Sequence, residues 1–392
     1  MNKRLLHTDI QDFITQNLKS EIASILLKGT SFNGVETREL VEQIEAKNKC
    51  LSKLPSWFNT ENIYYPNKLN IEQTSSERTA NYKASLITGD SILDITGGFG
   101  VDCFAYSKSF KEVTHCEINT DLSAKVAHNF KQLQVDNIKT VAQDGLSYLK
   151  ESETVYDWIY IDPSRRHDSK GKVFFLKDCL PNVPEHFDLL FKHTQQILVK
   201  TAPLLDISIG SQELKQVKAL HIIAVNNEVK ELLWVLEKGA STNFPIYTVN
   251  LTKTGIETFN FDLNSEALSQ PDYCQPLHYI YEPNSAILKA GAFNSVAEQL
   301  GVCKLHKHSH LYTSEALIEF PGRTFKVINT LTFNKKTIQK TGIKKANITT
   351  RNFPESVSDL RKKLKITDGG HHYLFFTTDM NDNKIVIICE KI

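Results

Sequence analysis

Apolar positions along the chain change their period twice. Ile10, Phe13, Ile14 and Leu18, then Ile22, Ile25 and Leu26, recur at three- and four-residue spacing, the signature of amphipathic helices. Asn33-Gly34 interrupts that pattern, a second helix is predicted over Thr37–Lys47, and Pro55 and Pro66 bracket a connecting loop. Glu72–Leu86 predicts one more helix. From Ser91 the pattern becomes strand and helix in turn. Apolar β-branched runs lie at Ser91–Ile95, Glu112–Glu117, Ile138–Ala142, Trp158–Ile161, Gln196–Thr201, His221–Val225 and Ile246–Leu251. Helical stretches separate most of them: Val101–Ser109, Asp121–Leu133, Gly145–Glu151, His186–Thr194 and Val229–Glu237. Such alternation predicts a doubly wound, Rossmann-like α/β sheet, which binds ligands at the carboxyl ends of its strands. Past residue 255 short strands meet fewer helices. Tyr279–Tyr281 precedes a helix over Ser285–Gln299 and a strand near Tyr312. From Phe320 the order is strand, helix (Lys335–Lys340), strand (Ala346–Arg351), helix (Pro354–Lys363) and a hairpin of Tyr373–Thr377 with Lys384–Cys389. The fold class expected is α/β, with an N-terminal helical region over 1–84, the α/β domain over 85–255 and small α+β domains after it.

Composition narrows the class. Apolar residues are 41% and charged residues 23% of the 392, ordinary globular material. No run of eighteen apolar residues occurs, so no membrane span is expected. Met1–Ser20 lacks an apolar core, so no signal peptide is expected. Seven cysteines stand singly, an odd number without C-x-x-C, which predicts reduced thiols in a cytoplasm and no zinc site of the usual spacing. His371 and His372 follow Gly369-Gly370 and read as a turn; no metal is expected. The net charge of +1 conceals a block: Arg323–Lys365 holds twelve Lys/Arg against two acids, +10, leaving −9 elsewhere. A basic segment on a near-neutral chain suits a polyanion, though a solvated face has the same composition.

The informative stretch is Ser91-Ile-Leu-Asp-Ile-Thr-Gly-Gly-Phe-Gly-Val-Asp102. An apolar strand ends at Asp94, and Gly97, Gly98 and Gly100 open a helix, letting backbone approach a ligand. A tight βα turn that binds nothing has the same glycines. Acids at the following strand ends add weight. Glu117, 23 residues after Asp94, can accept two ribose hydroxyls; Asp144 can receive an adenine amine; Asp162 follows the fourth strand. G-x-G-x-x-G fails here, because its last position is Cys103 counted from Gly98, and counting from Gly97 puts Phe99 at the second glycine. Asp94 and Asp102 beside the turn suit a sulfonium cation rather than a diphosphate.

The spacing Asp94-x-Thr96-x-Gly98-x-Gly100 resembles the first motif of class I methyltransferases, with Thr96 replacing a glycine. It is similar to the Asp-x-Thr-Ala-Gly-x-Gly stretch of small-subunit ribosomal RNA guanine-N2 methyltransferases. Glu72–Ala80, Ile161–Arg166, Val199–Asp206, Asn227–Leu232 and Thr350–Pro354 resemble a bacteroidal family of methyltransferases with a THUMP-like C-terminal domain, a likeness covering nearly the whole chain. The resemblance implies a class I methyltransferase domain over 85–255, a ferredoxin-like unit over 276–320 and a THUMP-like unit over 321–392. It implies S-adenosyl-L-methionine held by Asp94, Thr96, Gly97, Gly98, Gly100, Glu117, Asp144 and Asp162. It is also the reason to place Thr74, Ser75, Ser76 and Glu77 near the cofactor, where they otherwise read as a helix cap.

Asp162-Pro163-Ser164-Arg165-Arg166 stands where amino-directed enzymes of the fold carry (Asp/Asn)-Pro-Pro-aromatic. An exocyclic amine conjugated with its ring is a poor nucleophile. A carboxylate and a backbone carbonyl that orient it restore lone-pair density. Asp162, Pro163 and Arg165 are therefore the catalytic candidates. Ser164 replaces the second proline and Arg165 the aromatic. The Arg165 guanidinium can stack on a base, or Arg165 and Arg166 can clamp phosphates, or both can pair with rim acids. Carbon methylation needs a cysteine nucleophile, and Cys179 is the nearest downstream. Lys200, Pro203 and Asp206 either line the cleft or reach solvent.

The function expected is methylation of an exocyclic amine of an RNA base, guanine N2 or adenine N6, with ribosomal or transfer RNA as partner. Arg166, Lys200, Lys344, Lys345, Arg351, Arg361, Lys362 and Lys363 are the RNA-contact candidates. The alternatives are a methyltransferase of a protein or small molecule, and a non-catalytic RNA-binding protein with a decayed fold.

Overall fold

The computed structural model describes residues 1–29, 32–165 and 175–392, with only the backbone of Arg165. The chain forms two compact units: Met1–Lys218 with Leu233–Thr242, and Ala219–Leu232 with Asn243–Ile392.

The first unit opens with helices Thr8–Gln16, Ile22–Lys28 and Thr37–Lys53. The third begins with a capping box between Glu36 and Glu39 and runs past the expected end at Lys47. Its Leu40, Val41 and Ile44 bury against Leu5, Ile10, Ile14 and Ile25. The helix expected over Glu72–Leu86 is two helices, Lys68–Gln73 and Glu77–Leu86. Ser76 makes the break. Its hydroxyl accepts from the Thr79 N–H at 3.2 Å, and its own N–H donates to the Thr79 hydroxyl at 3.2 Å, so the backbone leaves the helix to be capped.

The α/β strands of this unit are β1 (Ser91–Asp94), β2 (Glu112–Cys116), β3 (Ile138–Val141), β4 (Trp158–Ile161), a short pair β5 (Ser164–Arg165) and β6 (Cys179–Leu180), β7 (Gln196–Thr201), and parts of β8 (Val217–Val225) and β9 (Glu228–Glu237). Their order is β3-β2-β1-β4-β7-β9-β8. β1 pairs in parallel with β2 and β4, β2 with β3, and β4 with β7. The chain runs outward from β1 to β3 and then returns to lay β4 on the other side of β1. The crevice between the ends of β1 and β4 is thus the switch point where open α/β sheets bind ligands.

In the second unit β8 pairs in parallel with β10 (Pro245–Leu251), and β10 antiparallel with β11 (Ile256–Asp262). Val229–Glu237, expected as a helix, is strand β9. Asn226 and Asn227 take φ of 49° and 64°, the paired left-handed conformations of a two-residue hairpin turn, and this turn overrides the helix-like spacing of the leucines that follow. A seven-stranded sheet follows, built from β12 (Tyr279–Pro283), β13 (Cys303–Lys304), β14 (Tyr312–Ser314), β15 (Gly322–Thr332), β16 (Asn347–Thr350), β17 (His372–Thr378) and β18 (Lys384–Lys391). Its order is β13-β14-β12-β15-β18-β17-β16. The helix expected over Ser285–Gln299 breaks at Gly291, whose φ of 75° ends Ser285–Ala290 before Phe293–Leu300 begins. Cys274 and Cys303 form a disulfide with Cα atoms 5.6 Å apart, which corrects the expectation that every thiol is reduced. The remaining five cysteines are buried thiols. Among the described residues no helix is long and apolar enough to cross a membrane.

Candidate active site

The pocket at the β1–β4 switch point begins with Asp94, the last residue of β1 and 1% exposed. Its Oδ1 accepts from the Thr96 N–H at 2.8 Å and from the Thr96 hydroxyl at 3.1 Å. The same hydroxyl accepts from the Asp162 N–H at 2.8 Å. A glycine at position 96 would remove this side-chain bridge and leave only the backbone pairing of β1 with β4. Burial, against the hydrogen bonds from Thr96, pushes the Asp94 carboxyl up to about 7.

The glycines have distinct reasons. A Cβ on Gly97 would lie 2.3 Å from His115 Nε2, and one on Gly100 2.6 Å from Phe130 Cζ. Both glycines therefore allow close packing beneath the loop. Gly98 differs. It has φ of 54°, and a Cβ there would meet only the Thr96 carbonyl, at 3.8 Å. Its N–H donates to Glu117 Oε2 at 3.0 Å, and its carbonyl lies 3.2 Å from His115 Nε2. His115 is fully enclosed, and burial pushes it down to about 4, so the ring under the loop is neutral. Glu117 also accepts from the Asn119 N–H at 2.7 Å. Each of its oxygens keeps a lone pair for a further donor.

A cavity of about 200 Å³ is walled by Asn70, Gln73, Thr74, Asp94, Thr96, Gly97, Gly98, Phe99, Val101, Asp102, Leu122, Tyr160, Asp162 and Ser164. The structure therefore gathers Asp94, Thr96, Gly97, Gly98 and Asp162 around one space. Glu117 is tied to that space through Gly98. Asp144 stands apart from the wall. It caps the helix Gly145–Glu151, its Oδ1 accepting from the Ser147 N–H at 2.8 Å. Asp162 follows β4, with its side chain 32% exposed and its Oδ2 on Lys200 Nζ. Pro163 is buried beside it. Arg166 and the side chain of Arg165 lie outside the described residues. Cys179 is fully buried, its thiol donating to the Phe175 carbonyl at 3.6 Å, and it is absent from the cavity wall. Asp206 caps the helix Ile207–Glu213.

Lys83 and Tyr160 belong to no motif, and spacing does not single them out. Thr74, Asp102 and Tyr160 line the cavity, and Ser75 and Lys83 join Asp102 and Tyr160 in one network. The Lys83 ammonium, 0% exposed, lies 3.0 Å from Asp102 Oδ1 and donates to Ser75 Oγ at 2.8 Å. Asp102 Oδ2 accepts from Ser75 at 2.9 Å and from Tyr160 at 3.0 Å. Burial opposes the charge on Asp102, but the ammonium groups of Lys83 and Lys200 and these donors outweigh it and lower its pKa. The sequence points to Asp102 beside the glycine turn and, through the family resemblance, to Thr74 and Ser75, while Lys83 and Tyr160 carry no such signal.

In the second unit, Arg351 donates to Glu282 Oε1 at 2.7 Å and Arg323 to Glu282 Oε2 at 2.6 Å, with Glu282 3% exposed. Arg361 pairs with Asp368, and Lys363 with Glu355 at 2.8 Å. Lys344, Lys345 and Lys362 are exposed.

Comparison with known proteins agrees with this architecture. Residues 279–321 match a ferredoxin-like domain model, and 322–391 a THUMP domain-like model. A crystal structure from Porphyromonas gingivalis W83, assigned as a methyltransferase, is 31% identical, is covered over 98% of its length by 100% of this chain, and superposes with a TM-score of 0.87. An uncharacterised RNA methyltransferase of Mycoplasma mobile is 25% identical over 176 residues, 42% of this chain. The match spans about half, 48%, of that curated relative's length. By its full-length likeness to the Porphyromonas protein, the chain belongs to that methyltransferase family, a class I methyltransferase fold followed by ferredoxin-like and THUMP-like domains.

Proposed function

We propose that the pocket binds S-adenosylmethionine and that the chain transfers its methyl group to an exocyclic amine of an RNA base, guanine N2 or adenine N6. The observation that carries this reading is the Thr96 hydroxyl, which joins the carboxylate of Asp94 to the backbone of Asp162. The cofactor loop and the acceptor loop thereby meet at one cavity. The wall fits such a cofactor: among the described residues it holds Asp94, Asp102 and Asp162 and no lysine or arginine. That chemistry favours a cation over a diphosphate. The open space over Gly98 leaves room for a ligand against the backbone.

When bound, the cofactor supplies an electrophilic methyl on a sulfonium. Asp162 and the Pro163 carbonyl accept hydrogen bonds from the acceptor amine and turn its lone pair toward that methyl. Asp94, Thr96, Gly98 and Glu117 would hold such a cofactor beside that amine. The surplus amine proton leaves to the Asp162 carboxylate or to water. The RNA assignment draws on the +10 segment, the THUMP-like match and the Mycoplasma relative described as an RNA methyltransferase.

Two measurements test the reading. Calorimetry with S-adenosylhomocysteine should show binding that Glu117→Ala weakens at least tenfold. Mass spectrometry of RNA nucleosides from a deletion strain should lack one N2-methylguanosine or N6-methyladenosine. A nucleoside profile identical to the parent strain's removes RNA as the substrate.

A further inference from the structure

We infer that Lys200 is a positioning residue for Asp162 rather than a contact for RNA phosphates. This rests on the reading of the pocket just given. β4 and β7 are adjacent parallel strands in the register Ile161↔Val199. Asp162 and Lys200 are the residues that follow this pair, Asp162 just past the end of β4 and Lys200 one residue before the end of β7. Backbone pairing therefore fixes where both side chains start. Lys200 Nζ holds Asp162 Oδ2, and the Asp162 N–H is held by Thr96 at 2.8 Å. The carboxylate that would orient the acceptor is fastened through its own backbone and through one oxygen.

Exposure separates the two roles. A phosphate clamp presents its ammonium to solvent, but the Lys200 side chain is only 13% exposed, less than the 32% of Asp162. Lys200 also contributes to the field that lowers the pKa of Asp102, so its charge acts inward on the pocket acids. With Oδ2 turned to Lys200, the orientation of the carboxylate is set, and Oδ1 is the oxygen left toward the acceptor. One oxygen in one orientation gives the amine a single direction of approach, and a small misalignment there costs on the order of 10²-fold in rate. Removing the ammonium frees the carboxylate to rotate.

The test compares Lys200→Met, which keeps the length of the stem, with Lys200→Arg, which keeps the charge. Methyl transfer from labelled S-adenosylmethionine is followed on total RNA from the deletion strain. Lys200→Met should lower kcat about a hundredfold, with KM for RNA and affinity for S-adenosylhomocysteine within threefold of the parent. Lys200→Arg should recover at least a tenth of the rate. A raised KM with unchanged kcat, or a flatter salt dependence of RNA binding, overturns the inference in favour of a phosphate contact. If the parent enzyme binds S-adenosylhomocysteine yet methylates none of that RNA, the substrate reading has failed. A crystal structure of Lys200→Met then decides this one alone: a new Asp162 side-chain orientation supports it, and an unchanged orientation overturns it.

Discussion

Lys83 and Asp102 form an ion pair at 3.0 Å, with the lysine wholly excluded from solvent. The pair joins the helix before β1 to the helix after the glycine loop. Because Ser75 and Tyr160 also bind Asp102, the aspartate is satisfied while it faces the cavity. Removing one charge strands the other. Lys83→Met should therefore cost about 3–5 kcal/mol of stability. The double variant Lys83→Met/Asp102→Asn, which removes both charges, should recover most of that loss. Denaturant midpoints measure both. A double variant as unstable as the single one would mean that packing, not charge, holds this junction.

Gly98 and Gly100 both take left-handed backbone, yet their replacement should fail differently. Gly98→Ala meets open space and pays only for its backbone conformation, about 1 kcal/mol. Its methyl group would project at the cavity wall and should weaken S-adenosylhomocysteine binding at least tenfold. Gly100→Ala drives a methyl against Phe130 and Val126 and adds roughly 1–3 kcal/mol of overpacking. Thermal melts should rank Gly100→Ala as the less stable, while calorimetry should show the larger affinity loss per unit of stability for Gly98→Ala. The reverse ranking would remove Gly98 from the binding surface.

What the sequence makes legible here is periodic or positional. The β1–β4 strands and the row of strand-end residues follow from β-branched runs and the glycine turn. Val229–Glu237 reads as a helix because Leu232, Leu233 and Leu236 have helical spacing, while the deciding signal, Asn226-Asn227, is a turn of two residues. Asp144 is legible as a strand-end acid, but its structural work as a helix cap depends on Ser147, a local detail. Lys83 has no legible role at all. Its partner Asp102 is brought to it by tertiary packing, and no period or motif encodes that. Arg351 is similar, since a basic residue in a basic segment looks like a polyanion contact until Glu282 is seen buried against it.

The buried carboxyl of Asp94 makes stability depend on pH. Its folded value of about 7 lies above the ordinary value of about 4 in the unfolded chain. Between those values the folded state holds a proton that the unfolded state does not. The stability from this group is therefore present at pH 4 and lost as pH rises through 7, on the order of 4 kcal/mol in all. Three histidines, two buried and His310 half-buried, act in the opposite sense. His115, His221 and His310 are each pushed by burial down to about 4, so their contribution is lost as pH falls below the unfolded value of about 6.5. The difference between the parent and Asp94→Asn isolates the aspartate. That difference should favour the parent at pH 4 relative to pH 7.5; a difference independent of pH would show that Asp94 is ionised throughout.

The basic C-terminal segment should divide into cations that meet RNA and cations that hold the fold. Lys344, Lys345 and Lys362 are exposed. Replacing all three with alanine should leave stability within about 0.5 kcal/mol and weaken binding of bulk transfer RNA. The slope of log affinity against log salt should become shallower by roughly 0.7–0.9 for each phosphate no longer neutralised. Arg351→Ala should behave in the opposite way. It leaves one oxygen of Glu282, a residue 3% exposed, without its charged donor, while Arg323 keeps the other. The expected cost is about 1–3 kcal/mol of stability, with the salt slope of the folded protein unchanged. If instead Arg351→Ala alone flattens the slope and the triple lysine variant does not, the RNA path crosses the Glu282 cluster and avoids the exposed lysines.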